Sequence, residues 1–218
     1  MKNKKLYYFL MFFPLFVVLA SLQLLPDKIP AHYGISGEVD RWGSKYETLI
    51  FPAITIIFGF IMLIVTKYAS KQEKVGNNNQ KIGTLTGILS LLLFNVMTFY
   101  FLYADFNKIK NLNSIPIDLS QLIFILLGVI MMILGNIMPK VKMNSMIGLR
   151  TTWSMKNEIT WKKSQKFGGI SFIIVGILII ITNLFTKSPI SVFLSLAILI
   201  FSLPFDIYYT YKVAKEYN

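Results

Sequence analysis

The chain has 218 residues and a formal net charge of +12, from 22 Lys and Arg against 10 Asp and Glu. Its residues are 55% hydrophobic and its mean hydropathy is +0.60, whereas a soluble domain is roughly 45–50% apolar. It contains no cysteine, which excludes disulfides, thiolate metal sites and cysteine nucleophiles.

Six apolar runs without Lys or Arg are long enough to cross a hydrocarbon core of about 30 Å as helices. They are Leu6–Leu25, Thr48–Thr66, Ile82–Tyr103, Leu119–Met138, Gly169–Phe185 and Pro189–Tyr211. The first run exceeds the roughly 7–15 residues of a signal-peptide core and lacks an Ala-x-Ala site, so we expect it to be retained. The sequence predicts an all-α bundle of six transmembrane helices, divided into a two-helix unit (residues 1–70) and a four-helix unit (residues 71–218).

The distribution of basic residues predicts the orientation of this bundle. With the N-terminus in the cytoplasm, 16 Lys and Arg lie inside and 6 lie outside. This asymmetry favours both termini in the cytoplasm. It also makes the lipid bilayer, with its anionic inner leaflet, the expected partner of the positive charge. Direct nucleic-acid binding is not expected, because no zinc finger or basic recognition helix is visible.

The first long connection, Pro26–Glu47, is predicted to be extracellular and to form an ordered loop or a small hairpin. Its glycines permit turns, and Tyr33 and Trp42 suit the headgroup region of the membrane. We interpret it as a ligand-facing surface. The candidate ligand-facing residues are Pro30, His32, Gly37, Asp40, Arg41, Trp42 and Lys45.

Two other interpretations of this loop remain open. In one, His32 and two carboxylates bind a metal, but a single histidine with loosely spaced carboxylates matches no known ligand spacing. In the other, the loop braces the helices, with Asp40 paired to Arg41 and His32 bonded to the backbone. The sequence therefore predicts no metal site and no cofactor.

The second long connection, residues 138–169, is predicted to be cytoplasmic. Ser154 is a candidate cap for an amphipathic interfacial helix whose Ile159, Trp161 and Phe167 face the bilayer. The segment is either a docking surface for a cytoplasmic partner or a membrane anchor, and composition alone does not separate the two. The candidate docking residues are Asn144, Gly148, Arg150, Thr151, Trp153, Asn157 and Trp161.

Asp206 is the one acidic residue within the predicted spans, which raises the alternative of a small-molecule or lipid transporter or flippase. Because it lies near the cytoplasmic end, we expect it to reach the interface or to pair with Arg150 or a lysine. An enzyme is not expected, since the chain offers one histidine, no cysteine and no paired carboxylates within the membrane.

The two long connections together resemble the SdpI family of bacterial membrane proteins. The stretch Ile29–Gly34 followed by Gly37–Lys45 is similar to the domain of unknown function at that family's N-terminus, and Asn144–Gly169 is similar to its second signature. The resemblance implies a multi-pass protein of the Gram-positive plasma membrane that gives immunity to a secreted peptide toxin. For the family's namesake it also implies signalling through a transcriptional repressor held at the membrane. The toxin, the existence of a repressor partner and the oligomeric state stay open.

Overall fold

Six long helices form the computed structural model, which describes residues 3–34, 36–74, 76–116 and 118–217. The helices are α1 (Lys4–Ser21), α2 (Ile50–Lys71), α3 (Asn78–Phe106), α4 (Leu119–Ile137), α5 (Glu158–Phe185) and α6 (Ile190–Glu216). All six are long and apolar enough to cross a membrane. The prediction of a helical, multi-pass membrane protein is confirmed, and the orientation of its termini stays a prediction.

A small hairpin follows α1. Its strands are β1 (Lys28–Tyr33) and β2 (Val39–Ser44), which form an antiparallel two-stranded sheet with a register shift around Ala31. A short 3-10 helix, Lys45–Leu49, then leads into α2. The prediction that this connection is ordered is therefore confirmed, and of its two forms the structure shows the hairpin.

Hydrogen bonds between connections define the two ends of the bundle. At the hairpin end, the Val39 amide donates to the Lys110 carbonyl in the α3–α4 linker at 2.9 Å. At the opposite end, called the loop end because it contains residues 141–157, Gln72 Nε2 donates to Ser145 Oγ at 2.7 Å. Asn157 Nδ2 also donates to the Tyr217 carbonyl there, at 3.0 Å. The connections thus alternate between the ends, as they must in a bundle that crosses a membrane six times.

Two apolar clusters hold the helices together. Tyr7 and Met11 of α1 pack against Leu91 of α3, with α2 beside them. Met131 of α4 packs against Ile179 of α5, with α6 beside them. The core therefore groups α1 with α2 and α3, while the division of the chain at residue 70 stays a prediction.

The α4–α5 pair approaches closely through facing glycines. A Cβ added at Gly135 would lie 2.5 Å from the Gly169 carbonyl oxygen, and one at Gly176 would lie 2.6 Å from the Gly128 carbonyl oxygen. Small residues let two membrane helices bring their backbones into van der Waals contact. These glycines fix α5, and with it the end of the motif described below, which lies on this helix.

The predicted interfacial helix does not exist as a separate element. Helix α5 begins at Glu158 rather than Gly169, and it continues without a break to Phe185. Asn157 caps it, because its side chain accepts from the Thr160 amide at 2.9 Å. Trp161 is 3% exposed and packs inside the protein, so the expectation that it faces the bilayer is wrong.

Two further details of that prediction are corrected. Ser154 is buried in the preceding turn and is not the helix cap. The ring of Phe167 stacks on the ring of Tyr209 in α6, with centroids 3.9 Å apart. Of the three predicted bilayer-facing residues, Trp161 is buried and Phe167 contacts Tyr209, whereas Ile159 is 53% exposed at the surface.

Candidate functional site

The loop-end motif begins with Asn144, whose side chain folds the backbone around itself. Its Oδ1 accepts from the Met146 and Ile147 amides at 2.7 and 2.8 Å, and its Nδ2 donates to the Lys142 carbonyl at 2.8 Å. Asn79 of α3 holds the same stretch, because its Oδ1 accepts from the Lys142 amide at 2.9 Å. Asn144 is therefore a structural residue.

Gly148 permits a close approach of the loop to α5. Its φ is +101°, and a Cβ there would lie 2.5 Å from Gln165 Oε1. That oxygen accepts from the Leu149 amide at 2.9 Å, while Gln165 Nε2 donates to the Leu149 carbonyl at 2.9 Å. One buried amide side chain thus pairs with both main-chain groups of one residue, as a neighbouring strand would.

The next turn is closed by hydroxyl groups. The Thr151 amide donates to Ser154 Oγ and the Ser154 amide donates to Thr151 Oγ1, both at 2.9 Å. Thr151 Oγ1 also donates to Thr210 Oγ1 of α6 at 2.9 Å. Thr151 therefore ties the loop to the last helix.

The remaining aromatic residues of the motif are also structural. Trp161 Nε1 donates to the Val141 carbonyl at 2.8 Å, which closes the loop onto α5. Trp153 meets the edge of Tyr211 with ring centroids 5.4 Å apart. With the Asn157 cap, these contacts account for six of the seven candidate docking residues.

Arg150 is the exception. It is exposed, and within the described ranges its side chain has no hydrogen bond or ion pair. It lies between two stretches of loop that are each held by buried hydrogen bonds. A rigid loop thus presents a free guanidinium at the surface.

At the hairpin end, the charged side chains pair differently from the expected Asp40–Arg41 pair. His32 Nδ1 and Asp40 Oδ1 are 2.7 Å apart, and Arg41 Nη2 donates to Glu47 Oε2 at 2.8 Å. The hydrogen bond to Glu47 raises the pKa of Arg41 above its ordinary value. Asp40 and Arg41 are consecutive residues of β2, where successive side chains point to opposite faces, and the sequence did not show that Glu47 would turn back toward the hairpin.

The other candidate residues of the hairpin are divided between exposed and buried positions. Lys45 Nζ lies 2.9 Å from Asp27 Oδ1, and this hydrogen bond lowers the pKa of Asp27. Trp42 is 45% exposed, while Pro30 is buried. Gly37 has a φ of +80° in the turn of the hairpin. Among the described residues no group of three or more His, Asp or Glu is placed to hold a metal.

The α3–α4 linker holds the hairpin in position. Asn113 Nδ2 donates to the Ser36 carbonyl at 2.7 Å, and the Leu112 amide donates to the Gly37 carbonyl at 2.8 Å. The Tyr33 hydroxyl donates to the Ile109 carbonyl at 2.9 Å, and burial raises the pKa of Tyr33 to about 12. The hairpin is therefore fixed to the second half of the chain as well as to the first.

A cavity of about 660 Å³ lies beneath the hairpin. Its walls are β1 (residues 29–33) and the hairpin-end parts of α2, α3, α4 and α6, and most of its lining is apolar. No Lys or Arg is among its described lining residues, although the chain as a whole is strongly basic. Pockets of about 300–1,000 Å³ are the usual size for small ligands.

Two buried aspartates, which were not among the predicted site residues, line this cavity. Asp118 caps α4, and its carboxylate accepts from the Gln121 amide at 2.7 Å and from the Ser188 amide at 3.2 Å. Asp105, near the end of α3, is 3% exposed. The described part of the chain provides its carboxylate with no hydrogen bond or ion pair. A lone aspartate near a helix end carries no sequence signal, because the cavity forms only when the hairpin folds over it.

Asp206 also lies in a different environment from the one expected. It is 3% exposed on α6, and its Oδ1 has no hydrogen-bond partner in the ranges described. The expectation that it would reach the interface or pair with Arg150 or a lysine is wrong, because its side chain points into the bundle. It lies far along α6 from the hairpin end and does not line the cavity.

Comparison with known proteins agrees with the two motif segments. Residues 140–209 match the SdpI/YfhL protein family, and residues 9–56 match a domain of unknown function, DUF1648. The chain is 22% identical over 200 residues to the immunity protein SdpI of Bacillus subtilis, which covers 90% of this chain and 88% of that protein. It is also 47% identical over 49 residues to an uncharacterized protein of Archaeoglobus fulgidus, covering 22% of this chain and 27% of that one. No solved structure matches.

Proposed function

The chain is a member of the SdpI family, and we propose that it protects its cell against a secreted antimicrobial peptide toxin. Similarity over 90% of the chain to a protein named as an immunity protein carries this proposal and supports a membrane immunity role. The six apolar helices support action within a membrane, and we place it in the plasma membrane of a Gram-positive bacterium. The proposed action is binding, not catalysis.

We assign the two ends of the bundle different parts of this action. The hairpin, proposed to lie outside, carries exposed Trp42 and charged side chains that a peptide can contact. The loop end, proposed to lie inside, presents Arg150 without a partner in the described chain. Arg150 is thus the residue that we propose contacts a transcriptional repressor. A ligand transmits a signal only when its affinities for two conformations differ.

Survival after toxin exposure tests the proposal. A sensitive Gram-positive strain that produces the chain is exposed to culture supernatant of a toxin-secreting Bacillus subtilis culture and compared with an empty-vector strain. We expect survival only with the chain. Equal killing of both strains, with the chain correctly inserted, would contradict the immunity function.

Two variants at the loop end test the part proposed for Arg150. Arg150→Ala is compared with Lys140→Ala, which removes another exposed cation from the connection between α4 and α5. We expect equal membrane abundance for both, and loss of the toxin-induced change in transcription only in Arg150→Ala. Equal transcription responses in the two variants would contradict docking through Arg150.

Transport is the second candidate, and the buried carboxylate of Asp206 in a membrane-spanning helix favours it. Asp206→Asn separates the two functions. It should abolish protection if Asp206 carries a proton during export of the peptide, and it should leave protection intact if the chain acts as a receptor. We favour the receptor, because Asp206 is distant from the cavity at the hairpin end.

A further inference from the structure

The cavity under the hairpin has the charge pattern of a cation site. Its acidic lining residues are Glu47, Asp105 and Asp118. Arg41 pairs with Glu47, and two main-chain amides bond to Asp118. Asp105 alone is left without a partner among the described residues, at 3% exposure. A buried carboxylate is costly unless a cation or hydrogen-bond donor joins it.

The walls of the cavity indicate what carries that cation. Phe51, Phe101, Leu102 and Phe193 contribute apolar surface to the cavity that Asp105 lines. A small hydrated cation would gain nothing from these walls, whereas an ammonium group on an apolar chain would bury its chain and neutralise the carboxylate. The chemistry therefore selects an apolar amine.

The strand β1 favours a peptide as the source of this amine. Consecutive residues 29–34 all line the cavity, and β1 is one of only two strands in its sheet, so one of its edges has no strand partner in the described structure. The Ala31 carbonyl accepts from Arg41 at 3.3 Å, so a peptide would pair with the other main-chain groups of that edge. An extended peptide can pair with the main chain of such an edge, and a lipid headgroup cannot. The cavity volume suits one end of a peptide rather than a folded domain.

We infer that the cavity binds the amino terminus of an apolar peptide, with Asp105 as the counter-ion and β1 as the strand beside which the peptide lies. This inference rests on the proposed immunity function, because it assigns the toxin-binding step to the cavity. It places recognition behind the hairpin, in a cavity that three of the seven candidate residues, Pro30, His32 and Gly37, also line.

A pair of peptides that differ in one charge tests the inference. The probes are a leucine-rich pentapeptide amide with a free amino terminus and the same peptide acetylated at that terminus. Their affinities are measured for the full chain in nanodiscs of phosphatidylglycerol. We expect the free amine to bind at least tenfold more tightly to the wild type. Equal affinities would overturn the inference.

Three variants assign the preference to the cavity. Asp105→Asn keeps the shape of the side chain and should reduce the preference to less than twofold without changing the affinity of the acetylated peptide. Val192 lies on the α6 wall of the cavity, so Val192→Trp fills the cavity and should weaken the binding of both peptides. Asp206→Asn, a buried aspartate at a distance from the cavity, should keep the full preference. A preference that survives in Asp105→Asn, or disappears equally in Asp206→Asn, would contradict the assignment.

Lipid composition and survival complete the test. The same affinities are measured in nanodiscs of phosphatidylethanolamine, whose headgroup carries an amine. If the preference for the free-amine peptide is unchanged, the result supports a peptide as the occupant. If the lipid abolishes that preference by competition, the lipid amine is the occupant and the inference is overturned. If the Asp105-dependent preference is found but the wild type gives no survival, the cavity site stands and the immunity function fails. If the strain that produces the wild-type chain survives and the free and acetylated peptides bind with equal affinity, the immunity function stands and the cavity inference fails.

Discussion

At the loop end, buried polar side chains bond to main-chain groups of the same loop, whereas at the hairpin end Asp105 faces a cavity with no partner in the described structure. The side chains of Asn144 and Gln165 provide hydrogen bonds to main-chain groups of a loop that has no regular secondary structure. A loop held in this way keeps one shape and can present Arg150 in one position. At the hairpin end, the buried carboxylate of Asp105 lowers the stability of the folded protein instead. Such a loss of stability is typical of a site that binds a ligand.

The largest change in stability is expected from Gly148→Val, which disrupts the loop at residues 141–157. The variant places a branched side chain at a φ of +101° and against Gln165, and we expect a loss of about 3 kcal/mol from backbone strain and lost hydrogen bonds. Thermal unfolding in detergent measures it. Gly76→Val is the matched control, since Gly76 has a φ of +103° but a Cβ there would come no closer than 3.0 Å to a neighbour, the Glu73 side chain. Equal losses would show that the Gln165 contact contributes nothing.

A smaller effect of opposite sign is expected at the cavity. Asp105→Asn removes a buried carboxyl group that has no partner among the described residues, and it should raise the stability of the unliganded protein by roughly 1–2 kcal/mol. Asp118→Asn should lower it by about 1 kcal/mol, because the amide cannot accept from both the Gln121 and Ser188 amides. Unfolding midpoints measured side by side check both signs. A loss of stability in Asp105→Asn would show that the native carboxylate is satisfied, and the contrast between the two ends would disappear.

The smallest effect concerns the exposed surface of the hairpin. The hydrogen bond from Lys45 holds the pKa of Asp27 below its ordinary value. A lowered folded-state pKa means that the contribution of this pair is complete above the unfolded pKa of about 3.9 and is lost as the pH falls through the folded value. Fluorine NMR of fluorotryptophan at Trp42 should therefore shift on acidification from pH 6 to pH 3. In Asp27→Asn we expect a smaller change of the fluorine resonance over the same pH range, because this variant lacks the carboxylate that is protonated. An identical titration in the variant would contradict the assignment of the change to Asp27.

Local patterns of the sequence were sufficient for several features. Apolar runs predicted each transmembrane helix, because a segment in lipid must satisfy its backbone internally and must be apolar over about 20 residues. The glycines and aromatic residues of Pro26–Glu47 predicted an ordered connection, which is now seen as the hairpin. The sequence around Asn144 and Arg150 also predicted a motif, although it did not show which of its residues are held by hydrogen bonds.

The burial of particular side chains could not be predicted in the same way. The residues around Trp161 are typical of a membrane anchor. Only the position of the Val141 carbonyl makes Trp161 an internal hydrogen-bond donor. Gln165 and Asn79 look like ordinary helix residues until the loop at residues 141–157 folds against them.

The amino-acid sequence alone was enough to predict six membrane-spanning helices, two motif segments and a resemblance to the SdpI family. These properties depend on composition and on short-range spacing along the chain. Two other features emerged only from the folded chain: Arg150 is the member of its motif without a partner among the described residues, and Asp105 lines a cavity beneath the hairpin. Both depend on which segments meet across the bundle. The Thr151 hydroxyl donates to Thr210 of α6, and the Tyr33 hydroxyl donates to the Ile109 carbonyl, so residues distant in sequence hold the loop and the hairpin in place.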